Sequence, residues 1–191
     1  MSNWTLEAAI ERTGVLKKGH FLLSSGRHSD QYMQMAQLLQ YPAEAKEAGI
    51  AVAKLFEDQQ IDLVVGPALG GVIIAHEVAS ALGVRCIFAE RKEGEMQIRR
   101  GFEVEAGERV LVIEDVVTTG GSVKEVIALL EEREAKIIGV GSLVDRTKGE
   151  NPFDVTYRAL KAVQIESYPA EDCPFCKDGV PVVKPGSRHK K

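Results

Sequence analysis

Arg109-Val110-Leu111-Val112-Ile113-Glu114-Asp115-Val116-Val117-Thr118-Thr119-Gly120-Gly121-Ser122 is the stretch whose reading decides the fold. Val110 to Ile113 is too short and too β-branched for a helix of its own, and such a run suits a parallel strand covered on both faces. Gly120 and Gly121 lack a Cβ, so the backbone can turn sharply and bring its N–H groups near a ligand; Thr118, Thr119 and Ser122 add hydroxyl donors. A helix predicted from about Val123 to Arg133 turns its positive dipole end toward the same loop, which favours a phosphate monoester. Glu114 and Asp115 would repel that phosphate, so they are expected to face ribose hydroxyls or a water-coated Mg²⁺. Phosphate, sugar and metal together describe a phosphosugar.

Working outward, strand and helix patterns alternate. Ile61 to Gly66 reads as a core strand, Pro67-Ala68-Leu69-Gly70-Gly71 as a tight turn, and Val72 to Leu82 as a helix carrying His76 as a packed or surface residue. That glycine turn is either a second anion-binding loop or merely a tight connection. Val84 to Ala89, Lys136 to Leu143 and Ala159 to Ile165 read as further strands, the last at the sheet edge. Tyr41-Pro42 opens a helix to about Phe56, and Trp4 to Arg12 forms a small docking helix stopped by Gly14. The alternation predicts an α/β chain: a mostly parallel sheet, helices on both faces and ligands at the carboxyl ends of the strands.

Ile113 to Ser122 resembles the phosphoribosyl pyrophosphate loop of the type I phosphoribosyltransferases. The resemblance implies that family's fold, with a small N-terminal hood and a β-hairpin flap. It assigns Glu114, Asp115, Val116, Val117, Thr118, Thr119, Gly120, Gly121 and Ser122 to the donor, and the 67–71 turn to its pyrophosphate. Gly19-His20-Phe21-Leu22-Leu23-Ser24-Ser25-Gly26-Arg27-His28-Ser29-Asp30-Gln31-Tyr32, by itself a hairpin, resembles the hood of orotate phosphoribosyltransferases. That implies orotate as acceptor, held near Ser25, Gly26 and Thr118. Ser24 stands where those enzymes often carry a lysine, and Asp30 where a proline is common, so backbone groups are expected to hold orotate more than a side-chain cation.

Glu90 to Val104 is the most charged stretch. One reading is a solvated hairpin with Met96, Ile98, Phe102 and Val104 covering one side; the other is a mobile basic flap closing over a pyrophosphate leaving group. The resemblance places Arg91 and Lys92 at the start of a flap that reaches a neighbouring subunit's site, and so implies a homodimer. Glu95-Met96-Gln97 replaces the usual lysine and histidine, which leaves Arg99 and Arg100 as candidates from charge alone. Arg146, in Leu143-Val144-Asp145-Arg146, resembles the orotate-contacting arginine, and a guanidinium offers paired donors to pyrimidine oxygens. A salt bridge with Asp145 or Asp154 is the alternative.

The tail after Tyr168 carries four prolines and cannot form a long helix. Cys173-x-x-Cys176 invites a zinc reading, but a structural site needs four ligands and the chain offers no second pair, so no protein-held metal is expected. Mg²⁺ is expected to arrive with the donor. Redox chemistry is disfavoured because the pair does not follow a strand and open a helix. The Cys-Pro-x-Cys and Lys-Pro-Gly-Ser elements resemble the C-terminal extension of the Thermus-type branch of the orotate enzymes.

With 191 residues, 45% of them hydrophobic, and no long polar tract, one domain over 1–191 is expected. A hood of about 1–40 and a tail of 166–191 would flank a core of about 41–165. The net charge of −4 argues against nucleic acid or an anionic membrane as partner. Three cysteines, no signal segment and no long apolar run point to the cytoplasm. The expected reaction joins orotate to phosphoribosyl pyrophosphate, with Glu114, Asp115, Arg91 and Lys92 as the catalytic set. A purine phosphoribosyltransferase and a non-catalytic donor sensor are the rivals, the sensor lacking room for a DNA-binding unit.

Overall fold

The computed structural model describes residues 4–23 and 25–185. Ser24 and the Gly186-Ser187 end of the tail motif therefore lie outside the described residues. Helix α1 (Leu6–Thr13) starts at Thr5, whose hydroxyl accepts from Ala8 N, and ends at Gly14 in the left-handed region. Strands β1 (Leu16–Leu22) and β2 (His28–Met33) form an antiparallel hairpin. A short helix, α2 (Ala36–Leu39), which the periodicity did not reveal, leads into α3 (Pro42–Lys54).

The core follows as β3 (Leu63–Pro67), α4 (Gly70–Leu82), β4 (Arg85–Lys92), β5 (Glu95–Ile98), β6 (Arg109–Val117), α5 (Gly121–Glu131), β7 (Lys136–Asp145) and β8 (Tyr157–Ala162). The sheet order is β5-β4-β3-β6-β7-β8, all parallel except the β4–β5 hairpin. The expected strand Ala159 to Ile165 begins and ends earlier because β8 pairs in register with β7 from Tyr157 to Ala162. Likewise β4 runs on to Lys92, since its last residues pair with β5.

The quoted stretch is the central strand β6, and its alternate residues divide the core. Leu111 and Ile113 pack in a cluster with Ala45, Val52, Ile74 and Val78 of α3 and α4. Val110 and Val112 pack in a second with Val123, Val126 and Leu130 of α5. With both faces covered, each of these Val, Leu and Ile side chains contributes about 1.5–3 kcal/mol by leaving water. This burial holds the carboxyl end of β6 at a fixed depth, and the catalytic candidates lie there.

The tail folds back on the hairpin. His28 and Tyr168 exchange backbone hydrogen bonds at 2.8 Å, Leu22 N donates to Val183 O at 2.9 Å, and Ser29 Oγ donates to Glu166 O at 2.7 Å. This arrangement overturns the expectation of no second ligand pair beside Cys173 and Cys176. The second pair is His20 and His28, which the hairpin brings against the two thiols. Counting cysteines alone could not reveal it, because the partners stand about 150 residues away in sequence.

Candidate active site

Two concavities meet at the end of β6. The smaller, about 240 Å³, is lined by Arg91, Glu114, Glu125 and the continuous run from Val116 to Val123. The larger, about 660 Å³, is lined from the hairpin by Leu23, Ser25 and Tyr32, from the β7 end by Arg146, Thr147 and Lys148, and from the segment between β8 and the tail by Val163, Gln164 and Ile165, with Ser167 of the tail. Thr118 and Thr119 belong to both.

The loop's shape depends on Gly120. Its φ of 73° lies in the left-handed region, and a Cβ there would stand 2.6 Å from a ring carbon of Phe153. Gly120 is also the N-cap of α5 and supplies no side chain, which leaves the first-turn N–H groups without a side-chain cap beside the small pocket. Uncapped donors, a positive helix end and three hydroxyls suit an anion.

The paired carboxylates are held by backbone donors: Asp115 N donates to Glu114 Oε1 at 3.0 Å, and Val116 N to Asp115 Oδ1 at 2.8 Å. The glycine turn before α4 presses against them. A Cβ on Gly70 would come within 2.8 Å of Asp115 Oδ1, and one on Gly71 within 3.1 Å of Glu114 Oε1. Both glycine loops read from the sequence thus converge on one acid pair. Burial first, and the Asp115 charge second, push the Glu114 carboxyl up to about 9. Burial also raises Asp115, opposed by its hydrogen bond with Glu114. Two crowded, poorly hydrated carboxyls will ionise more readily when a ligand supplies hydroxyl donors or positive charge.

Of the basic residues on the β4–β5 hairpin, Arg91 reaches the small pocket. Its Nη2 donates to Glu125 Oε1 at 2.7 Å and its Nη1 to Gly94 O at 2.7 Å. Lys92 is exposed and outside that lining. Arg99 and Arg100 also lie outside it; both pair with Glu90, at 3.3 and 2.9 Å, and Arg100 lies over the Phe88 ring. Met96 is buried, and Ile98, Phe102 and Val104 pack against the α5-side core, as the hairpin reading expected.

Arg146 lines the large cleft. Burial holds its pKa below the ordinary arginine value, its Nε is buried without a hydrogen-bond partner, and no carboxylate among the described residues pairs with it. Asp145 instead accepts from Thr147 N at 2.7 Å. Ser25 lines this cleft, whereas Gly26, at φ 80°, shapes the turn beside it and donates its N–H to Leu23 O. Lys148, Gln164 and Glu125 are lining residues that the sequence reading missed. Lys148, two residues beyond Arg146 in a polar loop, carried a usable signal; Gln164 and Glu125 carried none.

The phosphoribosyl transferase domain family matches residues 34–170. The chain is 52% identical over 179 residues, 94% of each chain, to an orotate phosphoribosyltransferase from Thermoanaerobacter sp. strain X514. In structure it is similar to the orotate phosphoribosyltransferase of Aeropyrum pernix (TM-score 0.70, 26% identity, 83% of this chain and 94% of that one). It is also similar to Leishmania donovani UMP synthase (TM-score 0.71, 25% identity), where the match covers 82% of this chain and 35% of that longer one.

Proposed function

The chain belongs to the orotate phosphoribosyltransferases within the phosphoribosyl transferase domain family, and on that premise we propose how its joined clefts carry out the transfer. The reaction joins a ring nitrogen of orotate to the anomeric carbon of phosphoribosyl pyrophosphate with inversion. Pyrophosphate leaves with the bonding pair, the proton displaced from the ring nitrogen passes to pyrophosphate or water, and orotidine 5′-monophosphate results. The observation that carries the assignment of roles is the sharing of Thr118 and Thr119 between a small anion-suited pocket and a larger cleft lined by Arg146, whose buried Nε has no hydrogen-bond partner.

The 5′-phosphate takes the loop from Thr118 to Ser122 and the first-turn N–H groups of α5. Orotate takes the larger cleft, with Arg146 donating to its oxygens and Ser25 and Thr118 at its edge. The ribose then lies at the junction, its hydroxyls on Glu114 and Asp115. These carboxyls also favour the positive charge that develops on the sugar as the bond to pyrophosphate breaks. Catalysis on this reading is positional and electrostatic, and no covalent nucleophile is needed.

Mg²⁺ enters with the donor as part of the substrate and offsets pyrophosphate charge. The raised, adjacent carboxyls fit a cationic ligand. Arg91 is the flap residue best placed to meet the leaving pyrophosphate, with Lys92 behind it. In a homodimer the flap beyond Arg91 extends to the neighbouring subunit's site while Arg91 serves its own, and the enzyme works in the cytoplasm. Among the described residues no helix is long and apolar enough to cross a membrane. Residues 1–191 work as one domain, with the hood and tail forming the orotate wall. Incubation with orotate, donor and Mg²⁺ followed by product separation tests the reading. Equal amounts of orotidine 5′-monophosphate and pyrophosphate are expected; donor hydrolysis without nucleotide contradicts it.

A further inference from the structure

We propose that His20, His28, Cys173 and Cys176 form a structural zinc site that fastens the C-terminal tail to the N-terminal hairpin. The four ligand atoms lie within 4.8 Å of one another. His20 Nε2 is 2.8 Å from His28 Nδ1, 3.4 Å from Cys173 Sγ and 3.7 Å from Cys176 Sγ; His28 Nδ1 is 3.3 Å from Cys176 Sγ. Around a tetrahedral Zn²⁺ with ordinary bond lengths, nitrogen–nitrogen edges are about 3.4 Å and nitrogen–sulfur edges about 3.6 Å. Three of these four edges are within a few tenths of an ångström of those values; the nitrogen–nitrogen edge would open by about 0.6 Å, and the remaining edges, up to 4.8 Å, would shorten by up to about 1 Å to close on an ion.

Sequence and backbone both aim these groups. From Phe21 onward the hairpin register pairs Leu22 with His28, so His20, two residues before Leu22, projects from the same face as His28. The register shift between Lys18 and Phe21 places Gly19 and His20 opposite Asp30 alone, a bulge that sets this phase. Cys173 precedes the short helix α6 (Pro174–Lys177) and Cys176 lies in its turn, so the Cys-Pro-Phe-Cys spacing presents both sulfurs on one side. His20 Nδ1 lies 2.7 Å from Val180 O. A carbonyl only accepts, so Nδ1 carries the proton and Nε2 turns its lone pair into the cluster, the usual orientation of a ligating imidazole.

Without an ion the arrangement is hard to rationalise. Two imidazoles and a thiol are buried with no carboxylate in the cluster, and thiols are weak hydrogen-bond partners. Two imidazole nitrogens and two thiolates in a tetrahedral set select Zn²⁺ among common biological cations. Binding releases the two thiol protons, so occupancy will fall as pH falls. The functional consequence follows from position. The hairpin supplies Leu23, Ser25 and Tyr32 to the large cleft, and the tail supplies Ser167 and follows directly on Gln164 and Ile165, so the ion would lock two walls of one cleft together.

The test is metal analysis of the full-length chain, untagged and purified under reducing conditions, then incubated with ZnCl₂ and desalted. About one zinc per chain is expected, with two of the three cysteines slow toward a thiol reagent until a chelator is added. Cobalt(II) in place of zinc should give the visible absorption of a tetrahedral thiolate complex. Cys176→Ser, at the exposed corner of the cluster, should lose the metal while keeping its circular dichroism spectrum, and His76→Ala should keep it. A chelator should lower the melting temperature of the parent chain but not of Cys176→Ser. Substoichiometric zinc in the parent chain, unchanged zinc in Cys176→Ser, or a Cys173–Cys176 disulfide in the freshly purified protein would overturn the proposal. None of these readouts depends on orotate turnover, so the site and the transfer reaction can fail separately.

Discussion

Arg91 of the β4–β5 hairpin holds Glu125 of α5 at 2.7 Å, and both residues line the pocket bounded by the run from Val116 to Val123. The two side chains are 40% and 43% exposed, and an exposed pair of this kind contributes about 0–1 kcal/mol. Arg91 can therefore exchange Glu125 for a pyrophosphate oxygen at little cost. Arg91→Ala should lower kcat by about 100-fold or more. The Arg99→Ala, Arg100→Ala double variant should lose less than about threefold, since both arginines are occupied by Glu90. Steady-state kinetics on the two variants decides; equal losses would return the pyrophosphate contacts to Arg99 and Arg100.

Gly70 faces Asp115 so closely that an added methyl would meet its carboxylate at 2.8 Å. Gly70→Ala should displace that carboxylate and lower kcat/KM for the donor by about tenfold or more, from misplacement alone. The position is exposed and its φ is ordinary, so the melting temperature should change little. An unaltered kcat/KM would show that Asp115 has freedom the geometry denies it.

The raised carboxyl of Glu114 sets a pH dependence of stability. Its pKa is higher folded than unfolded, so the unfolded chain sheds the proton first. The stabilisation is therefore full below the ordinary value of 4.5 and is lost as pH rises toward about 9. Glu114→Gln removes the ionisation while keeping an oxygen for Asp115 N. At pH 8 without ligand it should raise stability by about 1–3 kcal/mol, or several degrees in melting temperature, while activity falls. Thermal melts at pH 5 and pH 8 check this; a variant less stable than the parent at pH 8 would contradict it.

Arg146 has a buried, unpartnered Nε, and among the described residues no carboxylate pairs with it. Arg146→Lys keeps a cation but loses the planar pair of donors, and should raise KM for orotate about 10-fold or more with KM for the donor nearly unchanged. A parallel rise in both constants would mean that Arg146 supports the fold of the cleft and does not read the base.

Much of this was legible in the sequence because the β6 pattern joins three mutually consistent signals: an apolar run, a carboxylate pair and a glycine turn. Its neighbours alternate with helices at spacings that only a parallel sheet accommodates. What stayed hidden depends on side chains meeting across long separations. The pairing of Arg99 and Arg100 with Glu90 was invisible to a reading of charge, since alternation says nothing about which carboxylate captures a cation. His20 and His28 read as parts of a hairpin until the tail, folding back from beyond Tyr168, set two thiols beside them. The tail itself had composition but no periodicity, and its order comes from hydrogen bonds to the hairpin.

The most direct test of the account is the rate of phosphoribosyl transfer to a panel of bases under one set of donor and Mg²⁺ concentrations. Orotate consumption, followed by absorbance, should exceed that of adenine, guanine, xanthine and uracil by orders of magnitude, and Arg146→Ala should erase most of that preference. Turnover of a purine in place of orotate, or donor binding with no turnover of any base, would contradict it.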